Sequence, residues 1–91
     1  MENKTKKTVE YNRYYNDIII AEEYSDGSVK GEFLIKDMPN GFQMAAYHDS
    51  WKIFSDCKDL FELLSSQSMS GVTMEMLAKM IEGIGYELKG V

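Results

Sequence analysis

The sequence predicts an α+β domain in which a three- to four-stranded antiparallel meander is followed by two C-terminal helices packed on one face. In the first half of the chain, short apolar stretches are separated by turn sequences that contain Asp26 and Gly27 or Asn40 and Gly41. After His48 the apolar residues recur at the three- and four-residue steps of a helix. The 91 residues, 44% hydrophobic and 12% aromatic, suffice for one domain with a thin core.

Three stretches are expected to form the meander. Asp17–Tyr24 contains three consecutive isoleucines, a β-branched run that favours a pleated surface. Residues 29–36 alternate as a half-buried strand does, and residues 42–48 return as the third strand. The inward face of the middle strand consists of Val29, Gly31, Phe33 and Ile35. Residues 9–15 are expected to form either a fourth strand or an irregular arm. Residues 1–8 are expected to be a flexible basic tail, and residues 9–91 are expected to form a single α+β domain.

The first helix is expected to begin with Ser55 or Asp56 as its cap and to end near Ser66. Its apolar residues cluster on one face of a helical wheel, and they are Cys57, Leu60, Phe61 and Leu64. Trp51 and Phe54, just ahead of the helix, are expected to anchor the core, with an interface role for Trp51 as the alternative.

The second helix is expected to start after Thr73, which caps it, and to terminate at Gly85. Its buried stripe consists of Met74, Leu77, Ala78, Ile81 and Ile84. Residues 86–88 are expected to lie back on the sheet as a short edge strand.

The charge is divided unevenly along the chain. Residues 1–13 carry four basic and two acidic side chains, a net charge of +2, whereas the rest carries six lysines and thirteen carboxylates, a net charge of −7. An acidic body repels nucleic-acid phosphates, which disfavours direct DNA or RNA binding by the folded part and favours basic protein partners. A single cysteine and the lack of a signal-peptide core or membrane-spanning stretch predict a cytoplasmic protein with no membrane association.

No combination of residues predicts catalysis, a metal or a cofactor. His48, Asp49 and Ser50 are chain neighbours that point to opposite faces of an extended strand, so they cannot line up as a hydrolase triad. Cys57 near a helix start is a candidate nucleophile, but its place on the apolar stripe favours a buried structural residue. One cysteine and one histidine do not make a zinc site, and the dispersed glycines form no phosphate-binding loop. The prediction is therefore that the protein is not an enzyme.

A tyrosine-rich stretch near the N-terminus is the candidate for nucleic-acid contact. Tyr11, Tyr14 and Tyr15 surround Arg13, and aromatic rings beside an arginine stack on unpaired bases. The structural interpretation, that tyrosines line an edge strand, is favoured because few cations accompany them.

Apolar residues outside the buried stripes are the most informative feature of the two helices. Leu63 on the first helix and Met76 and Met80 on the second lie off these stripes. Packing of the helices on each other through these residues is the structural interpretation, and a Met-rich, carboxylate-rimmed binding surface is the functional one. The predicted partner-binding residues are Asp49, Asp56, Asp59, Glu62, Leu63, Met76 and Met80.

These features favour a function in binding. In size, acidity and lack of catalytic residues, the chain is similar in general character to small accessory proteins of bacteriophages, including anti-CRISPR inhibitors. The leading hypothesis is a non-enzymatic inhibitor or regulator that occupies a surface of a partner protein, for example a basic nucleic-acid-handling protein whose phosphate site the carboxylates imitate. The alternatives are a homodimer or larger homo-oligomer joined through the methionines or a sheet edge, and nucleic-acid contact through the N-terminal arm.

Overall fold

The computed structural model describes residues 4–65 and 71–89. Within these ranges the fold is α+β, with a five-stranded mixed sheet and three helices. In chain order the elements are β1 (Thr5–Asn12), β2 (Asp17–Tyr24), β3 (Val29–Met38), β4 (Gly41–His48), α1 (Trp51–Asp56), α2 (Lys58–Ser65), α3 (Met74–Ile84) and β5 (Glu87–Lys89).

The sheet is a meander with one added strand. Its spatial order is β4-β3-β2-β1-β5, in which the first four strands are antiparallel and β5 runs parallel to β1. Gly27 (φ 89°) and Gly41 (φ 126°) take the positive backbone angles that the β2–β3 and β3–β4 turns need. The predicted three- to four-stranded meander is confirmed in outline: it has four described strands, and the edge strand expected at residues 86–88 is β5, Glu87–Lys89.

Strand β1 corrects the prediction for the N-terminus. β1 begins at Thr5 and pairs along its whole length with β2, from Thr5 opposite Tyr24 to Asn12 opposite Asp17. Residues 5–8 therefore belong to the sheet and not to a flexible tail, while residues 1–3 lie outside the described residues. The physical reason is that Val9 is completely buried. Pairing with β2 supplies hydrogen-bond partners for the backbone N–H and C=O groups of the residues before and after it.

One face of the sheet carries the helices. Val9, Ile20 and Phe33 lie opposite one another in adjacent strands, so their side chains share this covered face. All three helices contribute to the same core. The core consists of Val9, Ile18, Ile20, Phe33, Ile35, Ile53, Cys57, Leu60, Phe61, Leu64, Met74, Leu77, Ala78, Ile81 and Tyr86.

The first predicted helix is two helices in the structure. α1 begins at Trp51 after an N-cap at Ser50, and Cys57 separates it from α2, so the predicted start at Ser55 or Asp56 was wrong. Ile53 and Cys57, four residues apart, face the core, which turns Trp51 and Phe54 outward instead of making them core anchors. The predicted end near Ser66 and most of the following loop lie outside the described residues.

Helix α3 follows its local signals closely. The Thr73 side chain accepts a hydrogen bond from the Met76 backbone N–H (3.1 Å), and Gly85 ends the helix with a φ of 122°. Both predicted caps are confirmed. Ile84, predicted to be buried, is instead exposed at the last residue of the helix.

Candidate functional site

Two large aromatic side chains of α1 are exposed to solvent. Trp51 is 72% exposed and Phe54 is 43% exposed, and their rings stack with centroids 6.4 Å apart and an interplanar angle of 24°. The Phe54 ring also lies 6.2 Å from the ring of buried Phe61. The aromatic rings therefore form a continuous row from the solvent to the core, and the outer two stay exposed.

Beside Phe54 an apolar groove opens between α1, α2 and the sheet. Its volume is about 410 Å³, and we call it the aromatic groove. Phe33 and Phe61 stack within it with ring centroids 4.3 Å apart and an interplanar angle of 16°. The lining residues are Phe33, Met44, Phe54, Lys58, Phe61, Glu62 and Ser65.

The turn between β4 and α1 sets the position of the exposed aromatics. His48 has a φ of 61°, which turns the chain out of β4, and the Asp49 backbone N–H then donates to the Lys30 carbonyl (3.1 Å). A Cβ atom at Gly31 would overlap the Asp49 carbonyl oxygen and come within 2.8 Å of the Ser50 Cα. The absence of a side chain at Gly31 therefore allows the turn to cross β3 and start α1 there.

Several predicted binding residues lie in or near this region. Asp59, Glu62 and Leu63 are exposed and share one face of α2, and Glu62 lines the aromatic groove. Asp49 is exposed in the turn that precedes α1. Residues 49–65 together carry four carboxylates and two lysines, so the surface of α1 and α2 is acidic.

Asp56 is placed differently from the other predicted acidic residues. Its carboxylate is mostly buried, accepts a hydrogen bond from the Tyr86 hydroxyl (3.0 Å) and lies 3.4 Å from Lys7 Nζ and 3.6 Å from Lys52 Nζ. Burial raises the pKa of Asp56, but the Tyr86 hydrogen bond and the two lysine charges lower it more, so its net pKa lies below the usual value. Asp56 is thus an ionised group that joins α1 to β1 and to the residue before β5.

The polar groups around Asp56 are engaged mainly with one another. The Lys7 ammonium lies 5.1 Å from the centre of the Tyr86 ring. Burial, together with the Asp56 carboxylate, raises the pKa of the Tyr86 hydroxyl, which keeps it protonated as a donor. Glu22 accepts a hydrogen bond from Thr5 Oγ1 (2.6 Å), while its Oε1 is buried without a hydrogen-bond partner among the described residues. These contacts indicate a structural role in fastening α1 to the sheet.

Cys57 is a buried core residue. Burial, reinforced by the Asp56 carboxylate, raises the pKa of the Cys57 thiol to about 12. We therefore expect iodoacetamide at neutral pH to leave the native protein unmodified and to add one group per chain after unfolding in urea, as measured by intact mass. Modification of the native protein at the rate of the urea-unfolded chain would contradict this placement and restore Cys57 as a candidate nucleophile.

The methionines of α3 form a separate surface. Leu63, Met76 and Met80 are 44%, 51% and 41% exposed, so they lie on the surface and not between packed helices. α2 packs on β4, whereas α3 packs on β1 and β5, toward the opposite edge of the same face of the sheet. Because β4 and β1 are three strand spacings apart, about 14 Å, the structure does not unite Met76 and Met80 with the aromatic groove.

The tyrosine-rich stretch does not form one continuous surface. Tyr11 packs against the core, whereas Tyr14 and Tyr15 are exposed in the β1–β2 turn. Arg13 pairs with Glu75 of α3 (3.0 Å) beside a cavity of about 480 Å³. The Arg13 guanidinium thus lies beside a carboxylate.

The aromatic groove is the feature that combines exposed aromatic rings, an apolar concavity and predicted binding residues. Within residues 4–65 and 71–89, no cluster of three or more potential metal ligands is found, and no helix is long and apolar enough to cross a membrane. No protein-family model, curated protein or solved structure matches this chain.

Proposed function

We propose that this chain is a non-enzymatic protein-binding domain that occupies a surface of a partner protein through the aromatic groove and the exposed ring of Trp51. The observation that carries this proposal is the 72% exposure of Trp51, stacked on half-exposed Phe54 beside the groove. Aromatic side chains are enriched at protein interfaces and supply a large share of binding free energy when a partner removes them from water. In the unbound chain the Trp51 ring remains in contact with water, so burial of this ring by a partner would contribute to binding.

The charge around the groove suggests the chemistry of the partner. Exposed carboxylates at Asp49, Asp59 and Glu62 suit a partner that presents basic side chains around an apolar residue. A nucleic-acid-handling protein with a basic phosphate site fits this description, and the chain would inhibit or regulate it by covering that site. Such charge complementarity speeds association and weakens as salt is added.

The proposed contact surface is narrower than the set of residues predicted from the sequence. It retains Asp49, Asp59, Glu62 and Leu63, and it adds Trp51, Phe54 and Met44 from the aromatic groove and its surroundings. Asp56 is left out because its carboxylate is bonded within the fold. Met76 and Met80 are left out because α3 packs on the same face but toward the opposite edge of the sheet, on β1 and β5.

Trp51→Ala is expected to weaken binding without destabilising the fold. The partner would first be captured from host lysate on the immobilised wild-type chain, and its affinity for each purified variant would then be measured by calorimetry. Loss of a central aromatic contact of about 2 kcal/mol raises Kd about 30-fold. The free energy of unfolding should change by less than about 0.5 kcal/mol because the side chain is largely exposed.

Tyr15→Ala is the matched control, because it also removes an exposed aromatic ring but lies at the opposite end of β2 from α1. It should leave Kd unchanged. Charge reversal at Glu62 and Asp59 should slow association and reduce its salt dependence. Equal affinity of the wild-type and Trp51→Ala chains would exclude a contact surface that includes Trp51, and an affinity independent of salt would exclude the charge-mimicry mechanism.

A further inference from the structure

The two edges of the sheet differ in how well they are protected. At one edge, β5 is three residues long, and its charged residues pair with neighbouring strands: Glu87 with Lys6 (2.7 Å) and Lys89 with Glu23 (3.2 Å). At the other edge, β4 is eight residues long, and no described strand pairs with its outer side. Short, charged edges resist further strand pairing, whereas long uncharged ones permit it.

The sequence of β4 contains none of the residues that usually block edge pairing. Gly41–His48 has no lysine, arginine, aspartate, glutamate or proline. Its register with β3 is continuous from Gly31 opposite His48 to Met38 opposite Gly41, so no bulge bends the edge away. Within residues 4–65 and 71–89, the strand is therefore regular and its outer side is not paired with another strand.

The hydrogen-bond pattern identifies the free backbone groups. The Asp49 N–H donates to the Lys30 carbonyl, and hydrogen-bonded pairs alternate along an antiparallel ladder. Tyr47, Ala45 and Gln43 therefore bond to β3 through their backbones. The N–H and C=O groups that point to the open edge belong to the alternate residues Phe42, Met44 and Ala46.

We propose that β4 pairs antiparallel with β4 of a second copy of this chain, which joins two sheets into one ten-stranded sheet across a two-fold axis. An antiparallel pair of identical strands is self-complementary, as a two-fold interface requires. The chain carries a net charge of −5, so the net electrostatic force between two copies is repulsive. The uncharged β4 edge allows close approach without placing carboxylates opposite one another.

This dimer would place two binding surfaces together. A two-fold axis perpendicular to the joined sheet leaves the helices of both copies on the same side. Because Met44 belongs both to the β4 edge and to the lining of the aromatic groove, the two grooves would flank the joint. A partner with two matching sites would then bind with increased avidity.

The test is the molar mass of the full chain in solution over a range of concentrations, by light scattering and sedimentation equilibrium. The wild-type chain is expected to dimerise. Ala46→Lys places a lysine on the pairing edge of each copy, the device by which natural edge strands resist further pairing, and should raise the dimer dissociation constant at least about tenfold. Ala46→Pro removes an outward N–H and should have the same effect. Ser55→Lys, on the exposed side of α1, adds the same charge away from the edge and should leave the dimer intact.

Hydrogen exchange locates the interface independently of these variants. The amides of Phe42, Met44 and Ala46 should be protected in the wild-type dimer and exchange rapidly in Ala46→Lys, while the Ala45 and Tyr47 amides stay protected in both. Circular dichroism checks that each variant is folded. A wild-type chain that stays monomeric at its highest soluble concentration would overturn the proposal, as would a dimer whose β4 amides exchange freely. Trp51→Ala should remain dimeric, which separates this proposal from the groove-binding function.

Discussion

Gly31→Ala is expected to lower the free energy of unfolding by about 3 kcal/mol, the upper part of the range for overpacking. The added Cβ would overlap the backbone of Asp49 and Ser50, and a backbone segment cannot move aside as a flexible side chain can. The substitution must therefore push the β4–α1 turn away from β3. Urea unfolding followed by circular dichroism measures the loss of stability. Because this turn positions Trp51, the affinity for the partner should fall as well.

Gly83→Ala provides the matched control for this substitution. Gly83 lies inside α3, and a Cβ atom built there meets nothing within 4 Å. Alanine has the higher helix propensity, so the same change should stabilise the protein by about 1 kcal/mol. Equal unfolding midpoints for Gly31→Ala and the wild type would show that the turn does not lie against Gly31.

Phe61→Ala is expected to lower the free energy of unfolding by about 4 kcal/mol. Phe61 is buried, stacks on Phe33 and separates the aromatic groove from the core. Its removal leaves a cavity bounded by the sheet and α2, which the regular strands cannot collapse to fill. A domain of this size has a total stability of roughly 5–14 kcal/mol, so the variant should be close to unfolding at 37 °C.

Phe54→Ala removes the same ring from a half-exposed position and is the control for Phe61→Ala. It should cost no more than about 1.5 kcal/mol, because part of the ring is already in water. Calorimetric melting of both variants gives the comparison. If Phe54→Ala destabilised the protein as much as Phe61→Ala, Phe54 would be a buried core residue, and the groove that it lines would not be open to solvent.

Elements governed by neighbouring residues were predictable. The bounds of β2 were predicted as observed, because its isoleucine run is followed by a turn sequence that ends at a positive-φ glycine. The limits of α3 were equally clear, since Thr73 and Gly85 satisfy the ends of the helix through contacts within one turn. Such signals involve residues close in the chain, where spacing alone determines which groups can meet.

The candidate site depended on contacts between distant parts of the chain. Trp51 faces the solvent because the turn at Asp49 crosses Gly31 and aims Ile53 at the sheet, and residue spacing did not indicate that crossing. Asp56 was predicted to be a surface charge because its partner Tyr86 lies 30 residues further along the chain. The four-residue spacing of Ile53 and Cys57 places both on one face of a helix. That spacing was the available signal that Trp51 and Phe54 point away from the core.

The sequence by itself determined the α+β class, the central strands, the caps of α3 and the acidic character of the body, since these follow from periodicity, local hydrogen bonding and composition. The tertiary structure decided which of the exposed and charged residues share a surface. It extended the N-terminal strand to Thr5, bonded the Asp56 carboxylate within the fold, and placed Phe54 and Met44 in the groove with Trp51 stacked on Phe54. The reason is physical: a side chain is exposed or buried according to what packs against it, and most of those partners are far away in the chain.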